Sequence, residues 1–242
     1  MIEPDWPAPA RVKSLMTTRV GGVSGAPWDS LNLGDHVGDD PAHVAVNRAR
    51  LRRLLPAEPG WLKQVHGIRV VELGGNTPEA DASFTRQTAQ VCAVLTADCL
   101  PVLLCDRGGG IVAAAHAGWR GLADGVLEAT VSAMQVPPRD ILVWMGGAIG
   151  PQAFEVGEEV KQTFMDRHPE TVAAFTPHPA SIPGKWFADI YQLARIRLMH
   201  IGVRDIYGGG RCTFSDPVNF YSYRRDGVTG RMASLIWLDQ AL

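Results

Sequence analysis

Several common signatures are absent from this sequence of 242 residues, and each absence narrows the functions that it allows. No apolar run approaches the roughly 20 residues that a membrane-spanning helix needs. The net charge is −2 and the lysines and arginines are scattered, so no basic face is predicted for nucleic acid or an anionic membrane. Neither a Walker loop nor a dinucleotide fingerprint is present. We therefore expect a small neutral or anionic molecule as the ligand.

The four cysteines are informative through what they lack, because none of them forms a CxxC pair. The N-terminal segment MIEPDWPAPARVK carries acidic residues and three prolines, where a secretory signal needs a basic start and an apolar stretch. A cytoplasmic protein with reduced thiols is therefore expected. Cys92 and Cys105 lie within apolar runs and are predicted to be inert core residues.

Three residues that bind zinc well stand at the downstream ends of β-like apolar runs: His66, Cys99 and His116. The runs are WLKQVHG, VCAVLTADC and IVAAAHAG, and Gly or Pro follows each candidate ligand within two residues. If three neighbouring strands end on one rim, two imidazoles and a thiolate share a point. Such a set leaves the fourth tetrahedral position open, as in catalytic zinc sites. The sequence therefore predicts a reactive metal centre.

Residues near these ligands are candidates for substrate contacts and proton transfer. Gln64 and His66 are two residues apart on a predicted strand and would share one face. Arg120 lies at a predicted helix start, where free amides make an anion site, although a surface role is equally open. Asp98 reaches the site as a catalytic group only if the turn re-aims it. Arg211, in the turn GGGRCTF, is a further candidate for substrate binding.

The remaining histidines are predicted to be solvated, because they lie in loops or on helices without partners at ligand spacing: His36, His43, His168, His178 and His200.

The segment YSYRRDGVTGR, residues 221–231, either lines the pocket or forms a hairpin with solvated arginines. Residues 19–40 form a long loop rich in glycine, aspartate and serine. Loops of this length within a compact domain are usually functional.

The order of apolar segments predicts an α/β chain with a mixed sheet. Strands are expected near residues 12–18, 61–66, 68–73, 91–96, 101–105, 111–116, 141–145, 203–207 and 232–238. Helices are expected near residues 41–55, 122–134, 155–167 and 187–201, the first capped by Asp40 with Val44, Leu51, Leu54 and Leu55 facing inward. The runs at 101–105 and 111–115 lack alternation, which indicates strands covered on both faces.

The chain closely resembles the bacterial YfiH family, also called the multicopper polyphenol oxidase or laccase-domain family. The resemblance rests on KQVHG, TADCLPVLL, AAAHAGWRGL, AIGP with FEVGEEV, DIYQLAR and FYSYRRDGVTGRMASLIWL, all in order. It covers almost the whole length and implies one YfiH-like, laccase-type domain over residues 1–242. It also implies that His66, Cys99 and His116 bind zinc. The implied fold is a layered α/β/β/α sandwich, grouped with cysteine-hydrolase-like domains.

The resemblance implies several activities for the chain. These are phosphorolysis of adenosine, inosine, guanosine and methylthioadenosine, deamination of adenosine, oxidation of phenols with copper, and editing of wrongly built peptidoglycan precursors. We predict a zinc-dependent purine nucleoside phosphorylase with adenosine deaminase activity, acting as a monomer or a weak homodimer. Laccase chemistry ranks second because the chain has seven histidines and no HxH pair. A single two-histidine, one-cysteine site can nevertheless hold copper.

The residues bear on the deaminase activity and leave two other interpretations open. Deamination suits zinc-activated water, but the H-x-E with P-C-x-x-C deaminase signature is absent, so Asp98 is the nearest acid or base. A thiol hydrolase would instead use Cys99 as nucleophile and His116 as its base, without a metal. A non-enzymatic zinc-binding protein is the weakest interpretation, since an open coordination position would then serve no purpose.

Overall fold

A computed structural model describes residues 1–74, 78–178, 180 and 182–240, and its strands form two large sheets and one small one. The strands are β1 (Val12–Met16), β2 (Pro59–Gly60), β3 (Val70–Glu72), β4 (Ala82–Thr85), β5 (Val91–Thr96), β6 (Leu100–Asp106), β7 (Val112–Ala117), β8 (Ile141–Met145), β9 (Glu155–Gly157), β10 (Phe175–Pro177), β11 (Lys185–Ala188), β12 (Asp205–Gly208) and β13 (Met232–Leu238).

The helices are α1 (Pro41–Arg52), α2 (Trp119–Asp124), α3 (Val126–Met134), α4 (Glu158–Met165), α5 (Ile190–His200) and α6 (Tyr223–Asp226). Two 3₁₀ turns add Pro138–Asp140 and Pro169–Ala174. No helix among the described residues is long and apolar enough to cross a membrane.

The larger sheet has the strand order β12-β8-β6-β7-β4-β3, and the smaller main sheet has the order β1-β13-β5-β2. Both are mixed, because β12 runs parallel to β8, β3 to β4 and β2 to β5, whereas the other neighbours are antiparallel. A third sheet, β10-β11-β9, is antiparallel. The predicted mixed α/β architecture is therefore confirmed.

Three apolar layers hold the two main sheets and the helices together. Between the sheets, Met16 and Val94 pack in one cluster with Leu103 and Trp144. On the outer face of the larger sheet, a second cluster joins it to helices α2 to α5, and α1 covers the outer face of the smaller sheet through a third. The order of layers is helix, sheet, sheet, helix, so the α/β/β/α sandwich is confirmed.

Strand β6 illustrates why the central runs lack alternation. Leu103 and Cys105 belong to the cluster between the sheets, whereas Val102 and Leu104 belong to the cluster beneath the helices. Successive side chains still point to opposite faces, but both faces are dry, so each position is apolar.

Helix α1 begins as predicted, with the Asp40 carboxylate accepting from the Ala42 amide at 2.8 Å. It ends at Arg52, earlier than predicted, and the inward placement of Leu54 is wrong, because that side chain is 55% exposed. Pro56 disfavours helical backbone at the residue before it, which is consistent with a helix that stops early.

Other predicted boundaries also need correction. Residues 61–66 form no strand and make only an isolated bridge between Lys63 and Glu79. The helix predicted over 122–134 begins at Trp119 and is broken at Gly125, whose φ of +110° interrupts the helical backbone. The third and fourth predicted helices start late, because β9 and β11 pair with each other first. Strand β4 was not predicted at all.

Candidate metal centre

The three candidate ligands meet at one rim of the larger sheet. His116 lies in β7 opposite Pro101 of β6, and Cys99 occupies the turn between β5 and β6. His66 lies in the loop that follows β2. One donor atom from each residue lies within 4.8 Å of the other two, and the Cys99 Sγ is 3.7 Å from the His66 Nε2. Two imidazoles and a thiol therefore converge, although only His116 is in a strand.

A buried carboxylate, which was not predicted from the sequence, contacts both histidines. Asp81 is completely buried, and its Oδ1 lies 2.8 Å from the Nδ1 of His116. The same carboxylate accepts from the backbone amides of Val65, His66 and Gly67 at 3.2, 2.9 and 2.7 Å. Because the Nδ1 of His116 is engaged by Asp81, the Nε2 of the same ring is the nitrogen left to bind a metal.

These amide bonds explain the irregular backbone at His66. The residue has a φ of +61°, which costs energy in a side chain other than glycine and persists only where the surroundings enforce it. Three consecutive amides held by Asp81 supply that enforcement. They also explain why no strand forms here, since the amides bind a carboxylate instead of a neighbouring strand.

Asp98 holds the turn that presents Cys99. It has a φ of +83° and is 9% exposed. Its oxygens accept from the Thr213 hydroxyl at 2.6 Å, the Ser222 hydroxyl at 3.0 Å and the Arg224 amide at 2.6 Å. The turn thus re-aims the side chain, but toward three donors that occupy both oxygens. The geometry favours a positioning role for Asp98 over the predicted role as acid or base.

The electrostatics of the cluster favour a thiolate beside an imidazolium when no metal is bound. Burial opposes both charged forms, yet His116 and His66 outweigh it and lower the pKa of Cys99 to about 6. Cys99 and Asp81 likewise outweigh burial and raise the pKa of His116 to about 9. By contrast, burial raises the pKa values of Cys92 and Cys105 to about 12.

The donor set fits a transition metal. Zinc is held by thiolate sulfur and imidazole nitrogen. A histidine ligand usually donates the N–H of its second ring nitrogen to a carboxylate, as His116 does to Asp81. The low pKa of Cys99 favours the thiolate that a metal requires. Three protein donors leave one tetrahedral position for water or substrate.

The cluster forms one wall of a cavity of about 560 Å³. This volume lies within the range of roughly 300–1,000 Å³ that small-molecule sites occupy. The cavity is lined by His36, Gln64, His66, Leu95, Thr96, Ala97, Asp98, Cys99, His116, Trp119, Arg120, Ile149, Phe154, Ile190, Tyr223, Arg224 and Arg231. Aromatic residues and three arginines therefore line the same cavity as the metal donors.

The long loop over residues 19–40 braces one side of this cavity. The side chain of Asn32 accepts from the Arg231 amide at 2.9 Å, and the Leu33 amide donates to the Arg231 carbonyl at 3.2 Å. The loop also brings His36 to the lining, where 58% of its side chain remains exposed, in agreement with the predicted solvated residue. The segment 221–231 contributes Tyr223, Arg224 and Arg231, which favours the pocket-lining alternative.

The three predicted substrate contacts have different outcomes. Gln64 lines the cavity, but its amide is engaged by the backbone of Leu95, with bonds of 2.8 and 2.7 Å. Arg120 lines the cavity and lies over the Trp119 ring, 4.5 Å from its centroid. The predicted substrate contact of Arg211 needs correction, because this residue is exposed beside a different cavity that contains none of the metal donors.

Gly118 separates His116 from α2 and leaves no room for a larger residue. A Cβ at this position would lie 2.8 Å from the Cδ2 of His66 and 3.0 Å from the Sγ of Cys99. Its φ of −61° and ψ of 155° are accessible to alanine, so the obstacle is purely steric.

We therefore expect Gly118→Ala to displace both donors and weaken zinc binding at least about tenfold, while the melting temperature changes little. Zinc affinity by competition with a chelator, together with thermal unfolding, checks this. Gly25→Ala is the matched control, because a Cβ there meets nothing within 4 Å. Unaltered zinc affinity in Gly118→Ala would show that the donor positions are not set as described.

The sandwich and the cluster together define a class: a layered α/β protein with a candidate metal centre of two histidines and one cysteine. A family model described as "Multi-copper polyphenol oxidoreductase laccase" matches residues 13–239, and the chain belongs to that family.

Relatives and solved structures match over nearly the whole chain. A purine nucleoside phosphorylase of Pseudomonas aeruginosa is 58% identical, and the purine nucleoside phosphorylase YfiH of Escherichia coli is 55% identical, each alignment covering 98% of both chains. A crystal structure from Neisseria meningitidis aligns with a TM-score of 0.94 at 53% identity and covers 98% of each chain. The structure of YlmD from Geobacillus stearothermophilus aligns with a TM-score of 0.84 at 32% identity. The predicted resemblance to the YfiH family is thereby confirmed.

Proposed function

We propose that the chain is a zinc-dependent purine nucleoside phosphorylase acting on adenosine, inosine, guanosine and methylthioadenosine. The observation that carries the proposal is the convergence of His66, Cys99 and His116 on the wall of a cavity of about 560 Å³. The names of the relatives support it, since both enzymes at 55–58% identity are called purine nucleoside phosphorylases.

His66, Cys99 and His116 would hold the zinc, and Asp81 would orient the imidazole of His116 directly and fix the backbone of His66. A bound zinc supplies Lewis acidity, or a water of lowered pKa, at its open position. Copper is a secondary candidate for the same donors, because divalent copper binds nitrogen and sulfur sites more tightly than zinc does. Phenol oxidation by the copper-loaded protein is a separate activity to test.

Phosphorolysis needs phosphate beside the ribose C1′. In the balanced reaction, a phosphate oxygen forms a bond to C1′, the bond from C1′ to the purine N9 breaks, and its electron pair leaves with the base, which takes up a proton. Arg120, Arg224 and Arg231 line the cavity and offer cationic donors that suit a phosphate dianion. Burial lowers the pKa of Arg231, and the negative charges of the nearby Cys99 and Asp98 oppose this shift.

The apolar part of the cavity suits a purine. Trp119, Phe154 and Tyr223 line it, and aromatic faces stack on nucleobases whatever their substituents. This tolerance agrees with a substrate range of several purine nucleosides. His36 and Tyr223 are proton donors on the lining outside the metal donor set, so either can serve the departing base.

The direct test incubates zinc-loaded protein with inosine and inorganic phosphate and measures hypoxanthine and ribose 1-phosphate. We expect both products in equal amounts, and neither product when phosphate is omitted. A second arm uses Arg231→Met, which should raise the KM for phosphate, with the exposed Arg139→Met as its control. Absence of hypoxanthine from zinc-loaded wild type would overturn the proposal.

Adenosine deamination is proposed as a second activity of the same cavity. Among the described residues, Asp98 is the single carboxylate on the lining, and its oxygens already accept three hydrogen bonds. Proton transfer must then fall to another group, and we expect deamination to be slower than phosphorolysis. Formation of inosine from adenosine without phosphate measures it.

A thiol hydrolase acting on peptidoglycan precursors is the second candidate function, because the cluster favours a thiolate in the absence of metal. Cys99 would attack as the nucleophile and His116 would transfer the proton. Hydrolysis of a peptidoglycan precursor that survives removal of zinc by a chelator, and is then lost on alkylation of Cys99, would favour this candidate over phosphorolysis.

The pKa of Cys99 gives a pH dependence that can be measured on metal-free protein. A lowered pKa of about 6 means that the thiolate is present above that pH and is lost as the pH falls through it. We expect the rate of alkylation of Cys99 by iodoacetamide to reach its plateau near neutral pH.

Peptide mapping by mass spectrometry assigns the modified cysteine. Cys92 and Cys105 serve as internal controls and should stay unmodified, because burial raises their pKa values to about 12. A rate at Cys99 that still rises steeply above pH 8, as for an ordinary thiol, would contradict the thiolate and imidazolium pair.

A further inference from the structure

A second group of metal donors lies outside the cavity, and it contains two histidines, His168 and His200, that were predicted to be solvated and without partners. His168 precedes the 3₁₀ turn Pro169–Ala174, Glu170 lies within that turn, and His200 is the last residue of α5. None of the three lines the cavity beside Cys99. One ligand atom from each lies within 4.8 Å of the other two. The expectation of isolated histidines is therefore wrong for this pair.

The two histidines face a shared carboxylate oxygen. The Nδ1 of His168 is 3.7 Å from the Oε1 of Glu170, and the Nδ1 of His200 is 3.8 Å from the same oxygen. The imidazole centroids are 4.3 Å apart at an angle of 64°. Donor atoms around a tetrahedral zinc lie roughly 3.3 Å apart, given bonds of about 2.0–2.1 Å, so small side-chain rotations close the set.

The charges nearby allow a cation to bind. Arg197 is the adjacent cation, but it is paired with Glu128 and donates to the Ala123 carbonyl at 3.1 Å.

We propose that His168, Glu170 and His200 form a second zinc site, which ties the 3₁₀ turn to the end of α5. Two imidazoles and one carboxylate are ordinary zinc ligands, and water can fill the remaining position of this solvent-facing site. The side chains of Glu170 and His200 are 52% and 59% exposed, so an ion can enter without opening the fold. The site contains no sulfur, which distinguishes it from the cluster at Cys99.

The test is a zinc titration of metal-stripped protein followed by calorimetry and metal analysis. We expect wild type to bind about two zinc ions per chain, and His200→Ala to bind about one. Glu170→Gln, which keeps the shape of the side chain, should weaken the second site at least about tenfold. His43→Ala is the matched control, since His43 is an exposed histidine on α1 without a second histidine partner among its ion pairs.

Cobalt substitution separates the two sites. In Cys99→Ala protein the remaining cobalt should show tetrahedral absorption without a thiolate charge-transfer band. Adding His200→Ala to this variant should abolish the tetrahedral absorption. Uptake of a single equivalent by wild type, with His200→Ala and Glu170→Gln binding the same amount, would overturn the second site. That outcome leaves the site at Cys99 and the nucleoside phosphorylase untouched, because neither depends on these three residues.

Discussion

Replacing Cys99 by alanine is expected to remove most of the zinc from the cavity and to lower nucleoside phosphorolysis at least about a hundredfold. The physical reason is the size of the donor set. Only His66 and His116 would remain, and the loss of the thiolate removes the one anionic ligand. Metal content by mass spectrometry and hypoxanthine release from inosine measure the two effects.

Cys212→Ala is the matched control for this variant. Cys212 is also a partly exposed free thiol, but its Sγ accepts from the Gly150 amide at 3.2 Å and it does not line the cavity. We expect this control to keep its zinc and its activity. Full zinc and full activity in Cys99→Ala would contradict the proposed centre. Full zinc with loss of phosphorolysis would contradict Cys99 as a zinc ligand and place it in the reaction itself.

Asp81→Asn is expected to weaken zinc binding by about 10- to 100-fold, although Asp81 is not itself one of the three proposed zinc ligands. An asparagine places an NH₂ donor where the carboxylate now accepts from His116 and from the amides of Val65, His66 and Gly67. At least one buried donor then loses its acceptor, which costs about 1–3 kcal/mol of folding free energy. Zinc affinity and thermal unfolding, measured together, check both effects.

Glu79→Gln is the control for Asp81→Asn. Glu79 lies two residues away and forms an exposed pair with Lys63 at 3.0 Å, so its loss should change neither zinc affinity nor stability noticeably. If Asp81 were only a structural residue, Asp81→Asn would lower the melting temperature and leave zinc affinity at its wild-type value. That result would contradict its role in positioning His116 and the His66 backbone for zinc.

The layers of the fold could be predicted because strand and helix patterns were strong where burial is complete. Strands such as β5, β6 and β13 are apolar on both faces, and the Asp40 cap marked the start of α1. The small antiparallel sheet was missed because its strands are short and partly exposed, so they carry little hydrophobic signal.

The convergence of His66, Cys99 and His116 could be anticipated because each stands at the end of an apolar run and is followed within two residues by Gly or Pro, although the run before His66 forms no strand. Asp81 could not, because it directly precedes the four-residue strand β4 and its ligand-orienting role depends on amides 14–16 residues away. His168 and His200 likewise lie 32 residues apart and meet only because α5 ends beside the 3₁₀ turn. Such contacts depend on tertiary packing, which local pattern does not encode.

X-ray absorption at the zinc edge tests the central claim most directly. Metal-stripped wild type receives half an equivalent of zinc, so that the site with the thiolate fills first. We expect one sulfur neighbour at about 2.3 Å and nitrogen or oxygen neighbours at about 2.0–2.1 Å, with the sulfur lost in Cys99→Ala. A first shell without sulfur in wild type would contradict it.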